Sequence, residues 1–300
     1  MLSINTNAAS MAAVNAINKS NASLSKSMER LATGNRINSS ADDAAGKQIA
    51  NRMQTQSDGM AMAQRNIADA TAMLQTADGM FDEMNDILGR MDELATQAAN
   101  GTYSDDDRAA MQSEFDELGQ EMSDMLQNTT NGGTNLFNAS ENGLFTSTSG
   151  VTFQVGSQTS DQITINISTQ VSTLATDLGT LSAAFSGDYG TDGSGGTAAS
   201  GSELLTLDSA NTTISAVQNV MAEVGSIQST LGATMNRLSS TSTNLQSMQD
   251  NTEVAIGNIM DTDYATEASN MSKQQVLMQT GITMLKQANS MSGMVSSLLQ

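Results

Sequence analysis

The sequence predicts a mainly α protein: long antiparallel coiled-coil helices, paired N- and C-terminal helices, and a small β-hairpin region at the outer end. Three observations predict it. Apolar and small residues recur at alternating steps of three and four along most of the chain. Period-two alternation is confined to one short stretch, GLFTSTSGVTFQVGSQTSDQITINIS. Pro is absent, so no helix is broken by a pyrrolidine ring.

The first segment carries Ile4, Met11, Val14, Ile17, Leu24, Met28 and Leu31 at helical spacing. Ser39-Ser40-Ala41-Asp42-Asp43 then offers helix caps, a simpler reading of the acid pair than a metal site. From Met60 the seam runs through Ala63, Ile67, Ala70, Leu74, Ala77, Phe81, Met84, Leu88, Met91, Ala95 and Ala98, a helix of roughly 60 Å. Asn100-Gly101 stops it. Ser104 supplies the next N-cap, with Asp105, Asp106 and Asp107 on the positive end of the helix dipole. A Ca²⁺ loop is excluded there, because Ala110 and Asp116 stand where it needs Gly and Glu. Met111, Phe115, Leu118, Met122 and Met125 continue the step until Asn131-Gly132-Gly133 closes the helix.

Val151/Phe153/Val155 and Ile163/Ile165/Ile167 read as two short strands around a Gly/Ser/Thr turn. A third seam runs from Ile214 through Val217, Met221, Val224, Gln228, Leu231, Met235, Leu238, Ser242 and Leu245, and weakly into Ile256 and Ile259. The last segment carries Tyr264, Ala268, Met271, Gln275, Met278, Ile282 and Leu285 at steps of four and three. It ends in MLKQANSMSGMVSSLLQ, where Lys286 is the only ionised side chain. The expected organisation is a terminal coiled-coil domain from residues 1–44 and 256–300. A helical rod domain follows from 45–175 and 203–255, with the hairpin at about 143–170, and a variable Gly/Ser/Thr-rich surface loop at 176–202.

Charge follows this plan. The chain has 32 acidic and 12 basic side chains, a net charge of −20. Residues 1–44 carry four bases and three acids, whereas 58–125 carry sixteen acids and three bases. The ends are built for burial and the middle for water. The balance argues against nucleic acid and anionic membranes as partners, since both recruit Lys/Arg clusters. With no Cys and no His, thiol nucleophiles, thiolate metal sites and the commonest general base are all missing. No cofactor and no catalytic role is expected. The N-terminal stretch lacks the basic region of a cleaved signal, which implies cytosolic residence or another route of export. Two terminal helices alone make a thin pair, each with an uncovered face, so further copies of the chain are the expected cover.

MERLATGNRINSSADDAAGKQIANRM at 28–53 and DTDYATEASNMSKQQVLMQTGITMLKQAN at 261–289 resemble the two terminal signatures of bacterial flagellins. FQVGSQTSDQITINI resembles the β-hairpin of that family. The family's frequent Pro near the C-terminus is missing here, as are large outer domains. The resemblance implies a secreted, extracellular subunit that polymerises through its terminal helices into the flagellar filament for swimming motility. It implies export by the flagellar type III apparatus, and as partners an export chaperone, the filament cap and the junction proteins. Assembly is expected to rest on Ile4, Met11, Val14, Ile17, Leu24, Met28, Leu31, Tyr264, Met271, Met278, Ile282, Leu285, Leu298 and Leu299. LGRMDELATQAAN resembles the stretch read by the Toll-like flagellin receptor of vertebrate hosts, with Arg90, Leu94 and Glu114 as the candidate contacts. Ser and Thr in 146–202 are candidate glycosylation sites. The rival readings are a hook–filament junction protein and a secreted flagellin-like rod. A filament-borne zinc peptidase is excluded by the absence of His.

Overall fold

The computed structural model describes residues 7–138, 143–182, 185 and 201–298, the side chains of 292–298 excepted. It divides into two compact units, Met1–Asp58 with Gln249–Gln300, and Gly59–Met248. The element order is α1 (Ala8–Thr33), α2 (Ala44–Ala98), α3 (Asp105–Asn128), β1 (Thr130–Asn131), β2 (Thr134–Asn135), β3 (Val151–Gln154), β4 (Gln162–Ile165), α4 (Ser168–Leu181), α5 (Leu207–Met260) and α6 (Tyr264–Leu298). The predicted mainly helical class is what is observed.

The central unit is built on the heptad seams. All twelve predicted seam residues of α2, from Met60 to Ala98, are buried. Met111, Phe115 and Met122 of α3 and Val217, Val224, Leu231, Leu238 and Leu245 of α5 join the same core. A long helix with one apolar stripe gains little stability by itself, and it is packing of that stripe that holds it. At the end of α3 the core turns aromatic. Phe137 meets Phe81 edge-on, with centroids 5.2 Å apart, and stacks on Phe145 at 5.4 Å. β3 and β4 pair antiparallel with Val151 opposite Ile165 and Phe153 opposite Ile163, so Val151, Ile163 and Ile165 are buried.

Polar groups fix the register of this core. The Gln228 amide of α5 donates to the Asp82 carboxylate at 2.7 Å and accepts from the Asn85 amide at 3.0 Å, both on α2. Burial, and then the neighbouring Asp82 charge, push the Asp78 carboxyl up from its ordinary value. Gln112 of α3 is buried; its amide donates to Glu203 at 2.6 Å and its oxygen accepts from the Leu204 N–H at 2.7 Å. That clasp fastens the segment entering α5. Along α5 itself, the hydroxyls of Thr212, Thr230, Thr234, Thr241 and Thr243 each donate to the carbonyl four residues earlier.

Ser104 caps α3 as predicted: its hydroxyl accepts the Asp107 N–H, and the Asp107 carboxylate accepts the Ser104 N–H. Two features depart from expectation. Asn131-Gly132-Gly133 does more than close α3. Gly132 and Gly133 take φ of 58° and 83°, and this left-handed pair folds β1 straight back onto β2. Helix α4 also runs past residue 176, where the loop is expected to begin. Residues up to 181 are helical in α4, with Val171, Leu174, Leu178 and Leu181 buried on one stripe. Ser and Thr between these positions obscured that stripe in the sequence. Residues 183–184 and 186–200 of the expected loop lie outside the described residues.

Phe137 is the central ring of the aromatic cluster. Phe137→Ala is expected to destabilise the central unit by about 3–5 kcal/mol. Denaturant unfolding followed by circular dichroism should show the loss as a lower midpoint at unchanged slope.

Candidate assembly surface

Within the terminal unit α1 and α6 run antiparallel. The Asn7 amide donates to the Ala288 carbonyl at 3.1 Å, Ile17 lies against Gly281, and Arg30 reaches Glu267 at 3.6 Å. On α1 the covered positions include Ser10, Ala13, Ile17, Ser20, Leu24, Ser27 and Leu31, an unbroken three-four repeat, with Ser23 and Arg30 beside it. On α6 they include Ala268, Met271, Gln274, Met278, Gly281, Leu285 and Ala288. Small residues make this close approach possible. A Cβ added at Gly281 would lie 2.8 Å from Ile17 Cγ1, inside any real carbon–carbon contact.

The sequence-predicted residues therefore divide. Ile17, Leu24, Leu31, Met271, Met278 and Leu285 lie on the covered faces. Met11, Val14 and Met28 were placed on the same stripe by spacing, yet they are exposed, Met11 by 62%. Tyr264 and Ile282 are likewise exposed, and Gly281 holds the place assigned to Ile282. The reason is that apolar size alone does not separate the two faces: the contact alternates Ile17, Leu24 and Leu31 with the small Ala13, Ser20 and Ser27, while other large side chains sit outside it. Sequence reasoning missed Ser10, Ser20, Ser27 and Gly281; the heptad of small residues Ala13, Ser20 and Ser27 was the available signal. The outer face of α6 adds Val276 at 60% exposure, Leu277 and Met284. Ile4 and Leu299 lie outside the described residues, as does the side chain of Leu298.

The joint between α1 and α2 is closely bonded. Gly34 ends α1 at φ 76°, with the Tyr264 hydroxyl 3.3 Å from where a Cβ would stand. The Arg36 N–H donates to the Met260 carbonyl at 2.6 Å, and its guanidinium to the Ile259 carbonyl at 2.6 Å. The Thr262 N–H returns a bond to the Gly34 carbonyl at 2.9 Å. Asp43 caps α2 by accepting the Gly46 N–H at 2.9 Å, and Asp263 caps α6 through the Ala265 N–H at 3.0 Å. Asp42 accepts from Lys26 at 2.6 Å and from the N–H groups of Asn38 and Ser39. The Lys26 bond, followed by that from Ser39, holds its carboxyl well below the usual range.

Arg90 stands elsewhere, in the central unit. Its guanidinium bridges α2 to α3 through Glu114, at 2.9 and 2.7 Å, and also reaches Glu93 at 3.0 Å. Both Arg90 and Glu114 are exposed, and the two carboxylates raise the Arg90 pKa. Leu94 is only 2% exposed and belongs to the core, so it offers no surface to an outside partner. Among the described residues no cluster of acidic side chains is arranged to hold a metal ion, and no helix is long and apolar enough to cross a membrane.

Helices that pair by alternating large and small residues and still leave large apolar ones exposed define a structural subunit with apolar faces to cover. Residues 4–142 match the bacterial flagellin N-terminal helical region, and 214–299 the C-terminal helical region. The chain is 34% identical to a flagellin of Listeria monocytogenes over 99% of both chains. It is 42% identical to flagellin A of Vibrio cholerae over 55% of this chain and 42% of that one. A solved chain from Vibrio parahaemolyticus, described as a flagellar hook-associated protein, shares the fold. Its TM-score is 0.58 at 16% identity, covering 73% of this chain and all of that one. The chain belongs to the bacterial flagellin family and is a structural subunit of the flagellar filament.

The joint has a pH signature. A carboxyl held below its ordinary value of 3.8 adds stability above that value, and the contribution is lost as pH falls through the window beneath it. Asp42→Asn should therefore melt below wild type near neutral pH, and the two melting temperatures should converge under acid. A difference that stays constant between about pH 7 and about pH 2 would contradict this role for Asp42.

Proposed function

We propose that polymerisation runs through the outward faces of α1 and α6, with Met11, Val14 and Met28 on one helix and Tyr264 and Ile282 on the other meeting further copies of the chain. Ile17, Leu24, Leu31, Met271, Met278 and Leu285 hold the pair that presents them. Ile4, Leu298 and Leu299 are assigned to the same surface from the sequence pattern. The observation that carries this reading is the exposure of Met11, Val276 and Met284, each 60% or more, on helices with few charges. A free subunit gains by covering such a face, and an identical face on a second copy has the matching chemistry. The role is structural, and no chemical step is assigned to any residue.

The same reading makes the flagellar export apparatus, an export chaperone, the filament cap and the junction proteins the partners on the way to an extracellular filament. The composition supports it. With no Cys and no Pro, neither a disulfide nor a prolyl isomerisation delays refolding after passage as an unfolded chain. A second reading is favoured by the exposed Arg90–Glu114 pair, which offers a planar cation and an acid on adjoining helices to the Toll-like flagellin receptor of vertebrate hosts. Leu94 then serves only to seat α2.

Placing Asp at both Met11 and Val276 should raise the concentration needed for seeded growth about a hundredfold or more, since each assembly contact would bury an unpaired carboxylate. Sedimentation of seeded reactions reads this directly, with helical content unchanged as the folding control. Growth at the wild-type concentration would remove these faces from the interface. For the receptor, Arg90→Ala should weaken signalling in a reporter cell by about tenfold, the range of a lost charged hydrogen-bonding partner; equal signalling would remove Arg90 from that surface.

A further inference from the structure

The chain contains 22 Met and neither Cys nor Trp, so thioethers are its principal oxidisable side chains. The fold sorts them. In the central unit Met60, Met80, Met84, Met91, Met111 and Met122 are all buried. On the terminal helices Met11, Met28, Met284 and Met291 stand between 46% and 62% exposed. Sulfoxidation requires access of the oxidant to sulfur, so peroxide discriminates between these two sets in the same molecule.

We propose that Met11, Met28, Met284 and Met291 form a reversible oxidation site that controls entry of the subunit into polymer. The inference rests on the assembly reading above. The sulfur lone pair attacks one oxygen of hydrogen peroxide; an S–O bond forms, the O–O bond breaks, and the second oxygen leaves as water with the transferred group's proton. Sulfur loses two electrons and peroxide gains them. The product is a polar, chiral sulfoxide on a face that assembly must dry. Its oxygen is a strong acceptor that the apolar Val14, Val276, Leu277 and Ile282 cannot bond, whereas exposed amides such as Asn15 and Gln287 stand nearby. A contact between such faces must then strip water from the sulfoxide oxygen, which opposes assembly. Met60, Met84, Met91 and Met122, at the centre of the core, stay out of reach of the oxidant. Once assembled, the sulfurs of the terminal helices are covered and resist oxidation.

Partial oxidation of the full-length subunit with hydrogen peroxide, to about one sulfoxide per chain, tests this. The mixture is seeded, and polymer is separated from soluble subunit. Sulfoxide occupancy is then measured by peptide mapping at each Met. Sulfoxide at Met11, Met28, Met284 and Met291 should be depleted about tenfold in the polymer relative to the soluble fraction. Met62 and Met248, exposed in the central unit, serve as internal comparison and should show no such depletion. Methionine sulfoxide reductases of both epimer specificities should return the soluble fraction to growth. Equal occupancy at the four sites in both fractions, with untreated subunit polymerising normally, overturns this proposal and leaves the assembly reading standing. Failure of untreated, seeded subunit to polymerise overturns the assembly reading and this proposal together. Loss of growth that the reductases do not reverse would assign the damage to other chemistry and overturn it as well.

Discussion

The approach of Gly281 to Ile17 sets the character of the terminal unit. α1 and α6 meet through Ile17, Leu24 and Leu31 alternating with the small Ala13, Ser20 and Ser27, so large and small residues share the contact. Other large side chains, Met11, Val276 and Met284 among them, stay on the outside. A pair of helices has too little surface to cover every apolar face it carries. In the central unit the seams take Leu, Phe and Met inward and turn acids to water.

Between α1 and α2 the chain must reverse its character within about ten residues, and the bonding there is correspondingly dense. Gly34, Arg36, Asp42 and Asp43 each answer a separate backbone requirement: a left-handed stop, a tie to the end of α5, a fixed turn and a helix cap. Of the four, Gly34 lies close to the exposed Tyr264. Their contribution is angular, since the direction of α1 depends on them.

Much of this was legible in the sequence, for identifiable reasons. A heptad of Leu, Met and Phe is a strong signal, so the α2 core could be traced residue by residue. On α5 the trace found Val217, Val224, Leu231, Leu238 and Leu245 but missed the buried Val220 and Ile227, whose neighbours Met221 and Gln228 are only partly covered. Ser104 and Asp43 announced their caps because short polar side chains before an apolar run have few other uses. α4 was not legible: Val171, Leu174 and Leu178 are diluted by Ser and Thr, and the segment adjoins a Gly-rich loop that set the expected texture. The outer faces of α1 and α6 were half legible. Met11 and Ile17 look alike in a pattern of apolar spacing, and only the positions of Ser10 and Gly281 reveal which is covered. Leu94 illustrates the converse: it lies one turn from the exposed Arg90, at the edge where the helix face passes from water into the core, and a linear reading does not locate that edge.

The threonine hydroxyls of α5 turn back onto the carbonyls of their own helix. Each such donor is satisfied without water. On a helix of 54 residues these five hydroxyls therefore offer water only their acceptor side. A neighbour packed over one of them removes its water without leaving a hydroxyl donor stranded.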